Sequence, residues 1–144
     1  MDIAEIQDRI EIRELTDLFA NYADTKEIDK QVELFAEDGY LEFQMGFDGE
    51  VKEIRGRKAL FDAFTNTVVP CKAVYHLNGQ QTLTSYSKDT AEGTAYCQAT
   101  LVNEKDGNDV STTNYVIYID TYKKVSGKWK IAKRRTAFLF SKTN

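Results

Sequence analysis

The chain has 144 residues, of which 29% are charged and 12% aromatic, and a net charge of −4. That length can bury one core without disulfide or metal staples, and the composition is too apolar for a disordered chain. The negative balance argues against a general nucleic-acid binder, and no run approaches the ~20 apolar residues needed to cross a bilayer.

The start, Met1-Asp2-Ile3-Ala4-Glu5, has neither the basic nor the apolar segment of a secretion signal. The expectation is therefore a cytoplasmic protein with one domain over residues 1–144. Asp2 to Tyr22 reads as one helix, with Ile3, Ile6, Ile10, Ile12, Leu15, Leu18, Phe19 and Tyr22 forming a broad buried face. Asp2 and Glu5 have capping-box spacing, and Arg9, Arg13, Glu14 and Asp17 make the solvated face. A shorter helix is expected from Glu27 to Phe35, with Ile28, Val32 and Phe35 on one side and Gly39 as its stop. Tyr40–Phe43 alternates and reads as a short strand, and residues 46–55 form a hairpin or loop. Gly56-Arg57 opens a third helix that buries Leu60, Ala63, Phe64 and Val68 and ends before Pro70, the only proline.

From Lys72 onward the hydrophobic period changes from helical to alternating. Four long strands are expected at 73–86, 90–104, 110–124 and 128–140. Turn chemistry separates them: Ser87-Lys88-Asp89, Asp106-Gly107-Asn108 and Ser126-Gly127. Strands this long, in one small sheet, must twist and curl. The implied fold class is α+β: a cone-shaped, curled antiparallel or mixed β-sheet with three helices in the N-terminal half, enclosing a pocket.

Cys71 and Cys97 are separate, there is no CxxC, and His76 is the only histidine. No zinc-site spacing can be written, so two free thiols and no metal are expected.

The element order is joined by an ordered set of motifs. Tyr22-x-Asp24 ends the first helix, Leu34-Phe35-Ala36-Glu37-Asp38 precedes the first strand, and Gly56-Arg57 opens the third helix. His76 is followed by Asn78, and Gly127-Lys128-Trp129-Lys130-Ile131 leads into the last strand. This set resembles the SnoaL-like branch of the nuclear transport factor 2-like superfamily, with its cystatin-like α+β cone. Relatives in that branch include scytalone dehydratase, hexachlorocyclohexane dehydrochlorinase and polyketide cyclases.

The resemblance implies a catalytic dyad of Asp24 and His76. An imidazole with an ordinary pKa of ~6.5 can accept a proton near neutrality. A carboxylate on its other nitrogen sets the tautomer and stabilises the imidazolium. The competing reading makes Asp24 a helix cap, because Asp24-Thr25-Lys26-Glu27 is itself a capping-box pattern. Phe43 also stands where scytalone dehydratase has a tyrosine, and the second active-site histidine of that enzyme is missing.

Alternation with His76 inward turns Val74 and Asn78 the same way. The family register would then add Ala95, Cys97 and Ala99, next Asn114, Val116 and Tyr118, and last Arg134, Thr136 and Phe138. Tyr22, Tyr40, Phe43, Phe61 and Phe64 are candidate aromatic walls, with plain core packing as the alternative. Arg134 is the basic residue that would turn in to meet an anionic group.

The implied activity is that of a cofactor-independent lyase (dehydratase) or isomerase/cyclase acting on a small, largely apolar molecule. The alternative is a non-catalytic ligand-binding or protein-interaction module on the same fold. Tyr75, Leu77, Leu83, Tyr115, Ile117 and Ile119 are expected on the outer sheet face, where a second copy would cover them as a homodimer.

Overall fold

The computed structural model describes residues 1–144 as three helices and one six-stranded sheet. Helix α1 spans Ile3–Asp24, and the Asp2 carboxylate caps it by accepting the Glu5 N–H at 2.8 Å. Its buried stripe is Asp8, Ile12, Leu15, Thr16, Phe19, Ala20 and Ala23. Ile3, Ile6 and Ile10 remain exposed. At 3.6 residues per turn those three form a second stripe on the opposite side of the helix. The broad buried face expected from the sequence therefore merges two stripes, and only the one through Phe19 meets the sheet.

Helix α2 is short, Ile28–Glu33, and buries Ile28, Gln31 and Val32. It stops before Phe35, which begins strand β1 (Phe35–Met45) instead of completing a helical face. Gly39 is thus not a helix stop but lies inside β1. A Cβ there would sit 2.8 Å from the Ala36 carbonyl oxygen and 3.0 Å from that of Ile131. The strand bulges at this point, its register shifting between Phe35↔Ile131 and Tyr40↔Lys133, and only glycine tolerates the close backbone approach. Strand β2 (Lys52–Arg55) returns antiparallel against β1, so residues 46–55 are a hairpin. Helix α3 spans Arg57–Val68 and follows Gly56, whose φ of 90° needs a residue without Cβ.

Strands β3 (Ala73–Tyr86), β4 (Thr90–Lys105), β5 (Asn108–Val125) and β6 (Lys128–Thr143) form an antiparallel meander. Asp106-Gly107 and Ser126-Gly127 both have positive φ at each residue, the conformation of tight hairpin turns. The sheet order is β2-β1-β6-β5-β4-β3, and β1 runs parallel to β6 while every other pair is antiparallel. The helices pack on the concave side. The core there joins Ile12, Leu15 and Phe19 of α1 to Tyr122, Trp129 and Ile131 of the sheet. No helix is long and apolar enough to cross a membrane.

Two bulges alter the expected facings. In β3 the register slips between Asn78↔Cys97 and Gln81↔Ala95, so one extra residue turns Leu83 inward onto the core. Ile117 keeps the outward facing expected of it, between Val116 and Tyr118 of the cavity wall, but is covered by its neighbours. The outer face keeps Tyr75, Leu77 and Ile119, and it gains Tyr96 and Phe140. Tyr115 stacks on Phe140 with ring centres 4.3 Å apart, beside a second register shift between β5 and β6.

Candidate active site

Asp24 is the last residue of α1, and His76 is the fourth residue of β3. The Asp24 Oδ1 lies 2.7 Å from His76 Nδ1, and both carboxylate oxygens accept the His76 backbone N–H at 3.0 Å. A carboxylate is acceptor-only, so Nδ1 carries the proton and Nε2 is left with its lone pair. The carboxylate thus holds the ring and the backbone of the same residue, which fixes position and tautomer together. The helix-cap reading of Asp24 does not survive. Helix α2 starts after Glu27 without a side-chain cap, and the Asp24 oxygens are spent on His76. Lys26, with a φ of 61°, sends Nζ to the carbonyl oxygens of Val69 (3.1 Å) and Cys71, so the turn after Asp24 is tied to the loop before β3.

His76 opens into a cavity of about 430 Å³ between the helices and the concave face of the sheet. Of the wall residues expected from the sequence, Phe43, Phe64, Asn114, Val116, Tyr118 and Phe138 line it, as do Ala99 and Thr136. Eight others lie elsewhere, Val74 and Ala95 among them as part of the packed core. Tyr22 packs at the side of the core with Lys30 near its ring, and Tyr40 is covered by the Arg55 guanidinium 3.7 Å from its centre. Phe61 is exposed at the edge of the inward face of α3, which runs through Leu60, Ala63, Phe64, Thr67 and Val68 and is centred about 90° away from it. Asn78 turns in but is held by α1, donating Nδ2 to the Thr16 carbonyl (3.2 Å) and to Asp17 Oδ1 (3.0 Å). Cys97 is buried in the core beside Tyr118, and its thiol is pushed up to about 11, chiefly by burial.

Arg134 does turn inward, but it does not present an open cation to the cavity. Its side chain is fully buried, with Nε and Nη2 paired to Asp120 at 2.9 and 2.8 Å, and its guanidinium lies against the rings of Phe19 and Tyr118. Burial opposes its charge, and the Asp120 carboxylate outweighs that and keeps it protonated.

The sequence reading missed Phe19, Gln31, Leu41, Ile54 and Leu101 as lining residues. Leu41 and Leu101 were accessible to the alternation rule, being two residues from Phe43 and Ala99. Phe19 was assigned to the helix face without being placed in the pocket. Gln31 carried no signal, since a glutamine between two apolar helix positions reads as a solvated side chain. No group of three or more His, Cys, Asp and Glu side chains converges as a metal-binding set.

Residues 4–135 match the SnoaL-like domain. A search of curated proteins returns no match. Among solved structures, the chain is similar to a provisionally assigned scytalone dehydratase from Novosphingobium aromaticivorans DSM 12444, at 20% identity and a TM-score of 0.83, covering 99% of this chain and 91% of that one. It is similar to a provisionally assigned aromatic ring hydroxylase from the same species, at 26% identity and a TM-score of 0.80, covering 96% and 94%. It is also similar to hexachlorocyclohexane dehydrochlorinase LinA-type3 from Novosphingobium barchaimii LL02, at 16% identity and a TM-score of 0.79, covering 100% and 94%. The match to the domain runs from the first turn of α1 into β6 and takes in Asp24, His76 and the cavity walls other than Thr136 and Phe138, so the chain belongs to the SnoaL-like family of the nuclear transport factor 2-like superfamily.

Proposed function

We propose that the protein is a small-molecule lyase (dehydratase) or isomerase/cyclase in which His76 Nε2 acts as the general base and Asp24 orients it. The observation that carries this reading is the 2.7 Å contact of Asp24 with His76 Nδ1 at the wall of a largely apolar cavity. The base removes a proton from a carbon of the bound molecule, and Asp24 stabilises the imidazolium that forms. Phe43, Phe64, Leu101 and Phe138 exclude water around the reacting carbon, which suits a small cyclic or aromatic substrate. The dehydratase and dehydrochlorinase names of two structural neighbours both describe eliminations, in which a proton leaves a carbon, and this supports a proton-abstracting base here.

The test is turnover of a panel of enolisable and dehydratable ring compounds by wild type, His76→Ala and Asp24→Asn. A positioned general base contributes on the order of 10²–10⁴-fold, so His76→Ala should lose at least about 10²-fold in kcat/KM. Equal turnover by wild type and both variants would overturn the role of the dyad, and retention of a ring compound without conversion by any of the three would leave a binding module. The reading includes self-association through the outer sheet face, where Tyr75, Leu77, Tyr96 and Phe140 are exposed on neighbouring strands.

A further inference from the structure

Lys26 stands where a helix end asks for glycine. Helix α1 closes with the Lys26 N–H donating to the Ala23 carbonyl at 3.1 Å and the Glu27 N–H donating to the Tyr22 carbonyl at 2.9 Å. Helices that close with this pair of bonds turn through a left-handed residue, most often glycine. Lys26 takes that place with a φ of 61°. A residue with a Cβ is strained there, and glycine is not. Such strain persists only where the surrounding structure holds it, and it gathers at functional sites. The side chain at this position therefore supplies something that glycine lacks.

What it supplies is a clamp. The Lys26 ammonium donates to the Val69 carbonyl at 3.1 Å and to the Cys71 carbonyl. Val69 is the C-cap of α3, where carbonyls have no intrahelical partner and the helix dipole favours a cation. Cys71 is buried, two residues before β3. Glu27, next to Lys26 in the chain, pairs with Lys30 instead, at 2.9 Å. One end of the clamp thus lies two residues after Asp24, and the other lies five residues before His76. The Asp24 carboxylate joins the same two segments again, on the His76 ring and backbone N–H. A single contact would let β3 pivot about the carboxylate, and the second removes that freedom. The clamp also reaches the cavity. Ala63, Phe64, Thr67 and Val68 of α3 are wall residues, and α3 ends at the clamped Val69. The base and the wall on which a bound ring rests are therefore held in one frame.

We propose that Lys26 is a positioning residue for the dyad: its ammonium, clamped to the end of α3 and the start of β3, keeps the Asp24 carboxylate on His76 and sets the imidazole against the α3 wall. This deepens the function proposed above and rests on Asp24 and His76 being its dyad. Lys26 does not line the cavity and acts only through the groups it holds.

The experiment compares wild type, Lys26→Gly and Lys26→Arg, with no ligand present. The readouts are the urea midpoint, amide hydrogen exchange by NMR and the ¹⁵N spectrum of the His76 ring. Lys26→Gly loses the clamp but relaxes the backbone, so its urea midpoint should stay close to that of wild type. The His76 amide, which donates to Asp24, should nevertheless exchange about 10-fold faster relative to the amides of the β4–β5 ladder. The His76 ring should show a larger share of the Nε2–H tautomer. Lys26→Arg keeps a cationic donor and should retain wild-type protection and the Nδ1–H tautomer. The comparison with the β4–β5 amides holds even where the urea midpoint falls, because global unfolding speeds both alike. An unchanged ratio and an unchanged tautomer in Lys26→Gly overturn the proposal, and so does equal loosening in both variants. With a ring compound that wild type converts, Lys26→Gly should lower kcat by about 10-fold, more than it raises KM. Loosening of His76 in Lys26→Gly alone, together with undiminished turnover by His76→Ala, would keep the clamp and remove the function proposed above.

Discussion

At the scale of single residues, Asp24 and His76 show how much of a site a sequence can disclose. Both were nameable, because one histidine on a strand and one aspartate after a helix is a small set to search. The role of Asp24 was not settled by sequence, since a capping box and a dyad partner have the same local spelling. The choice was made by a contact across 52 positions, which no local rule contains. The geometry gives a spectroscopic expectation. The His76 ring nitrogens of wild type should show the Nδ1–H tautomer by ¹⁵N NMR. In Asp24→Asn the amide can offer a donor to Nδ1, and the ring should move toward the Nε2–H tautomer. kcat should fall by on the order of 10³–10⁴, as wrong-tautomer variants do. A wild-type ring already in the Nε2–H form would refute the assignment. Arg134 shows the opposite limit. Its inward facing followed from alternation, but the partner that neutralises it, Asp120, sits on another strand, and the sequence offers no marker for the pairing.

Elements were more legible than contacts. The four long strands emerged with nearly their observed ends, because Asp-Gly and Ser-Gly are strong turn signals between alternating runs. The misread stretch was 35–39, where the apolar spacing of α2 continues into β1 and the true boundary is set by pairing with β6. The inner facing of Leu83 was hidden for a related reason, since one extra residue in β3 leaves no trace in composition. Two buried charges weld elements together and yield predictions. Asp120 on β5 holds Arg134 on β6 and accepts the Tyr122 hydroxyl at 2.6 Å. Asp120→Ala strands a fully buried guanidinium and should cost about 3–5 kcal/mol in urea unfolding. A loss below about 1 kcal/mol would show that the pair adds little. Asp8 joins α1 to the sheet by accepting the Trp129 indole N–H at 2.8 Å and the Tyr86 hydroxyl, with Lys124 at 3.0 Å. Burial pushes its carboxyl up, but these donors together prevail and hold it below the usual carboxylate range. A lowered carboxyl contributes stability that is present above the unfolded value near pH 4 and is lost as pH falls through the folded value. The urea midpoint of wild type should therefore drop below about pH 4 more steeply than that of Asp8→Asn, which should be less stable at neutrality. Parallel pH profiles would exclude Asp8 as a contributor.

On the scale of the whole molecule, the cone with its pocket was legible from the order of periods, helical and then alternating, and from the lengths of the strands. The parallel pairing of β1 with β6 was left open between antiparallel and mixed, because local patterns do not encode which distant strand is a neighbour. The outer face tests the assembly. With Tyr75, Leu77, Tyr96 and Phe140 exposed, sedimentation velocity at micromolar concentration should show a species larger than a monomer, and Leu77→Lys should shift it to monomer. A wild-type monomer under those conditions would refute self-association.

The place of β6 has a consequence for how the protein comes into being. β6 lies between β1 and β5, so the early hairpin β1–β2 joins the remaining sheet only through the strand made last. On a ribosome, Leu41 and Phe43 would emerge before β3, β4 and β5 and wait until β6 has been made before meeting their neighbour. Until then the pocket has no wall on that side, and the nascent chain shows its apolar lining to the cell. Long-range pairing of this kind slows folding and lengthens the window for aggregation. A chaperone that holds nascent chains should therefore raise the yield of this protein, and a polypeptide stalled before Lys128 should be unable to retain any ligand of the finished cone.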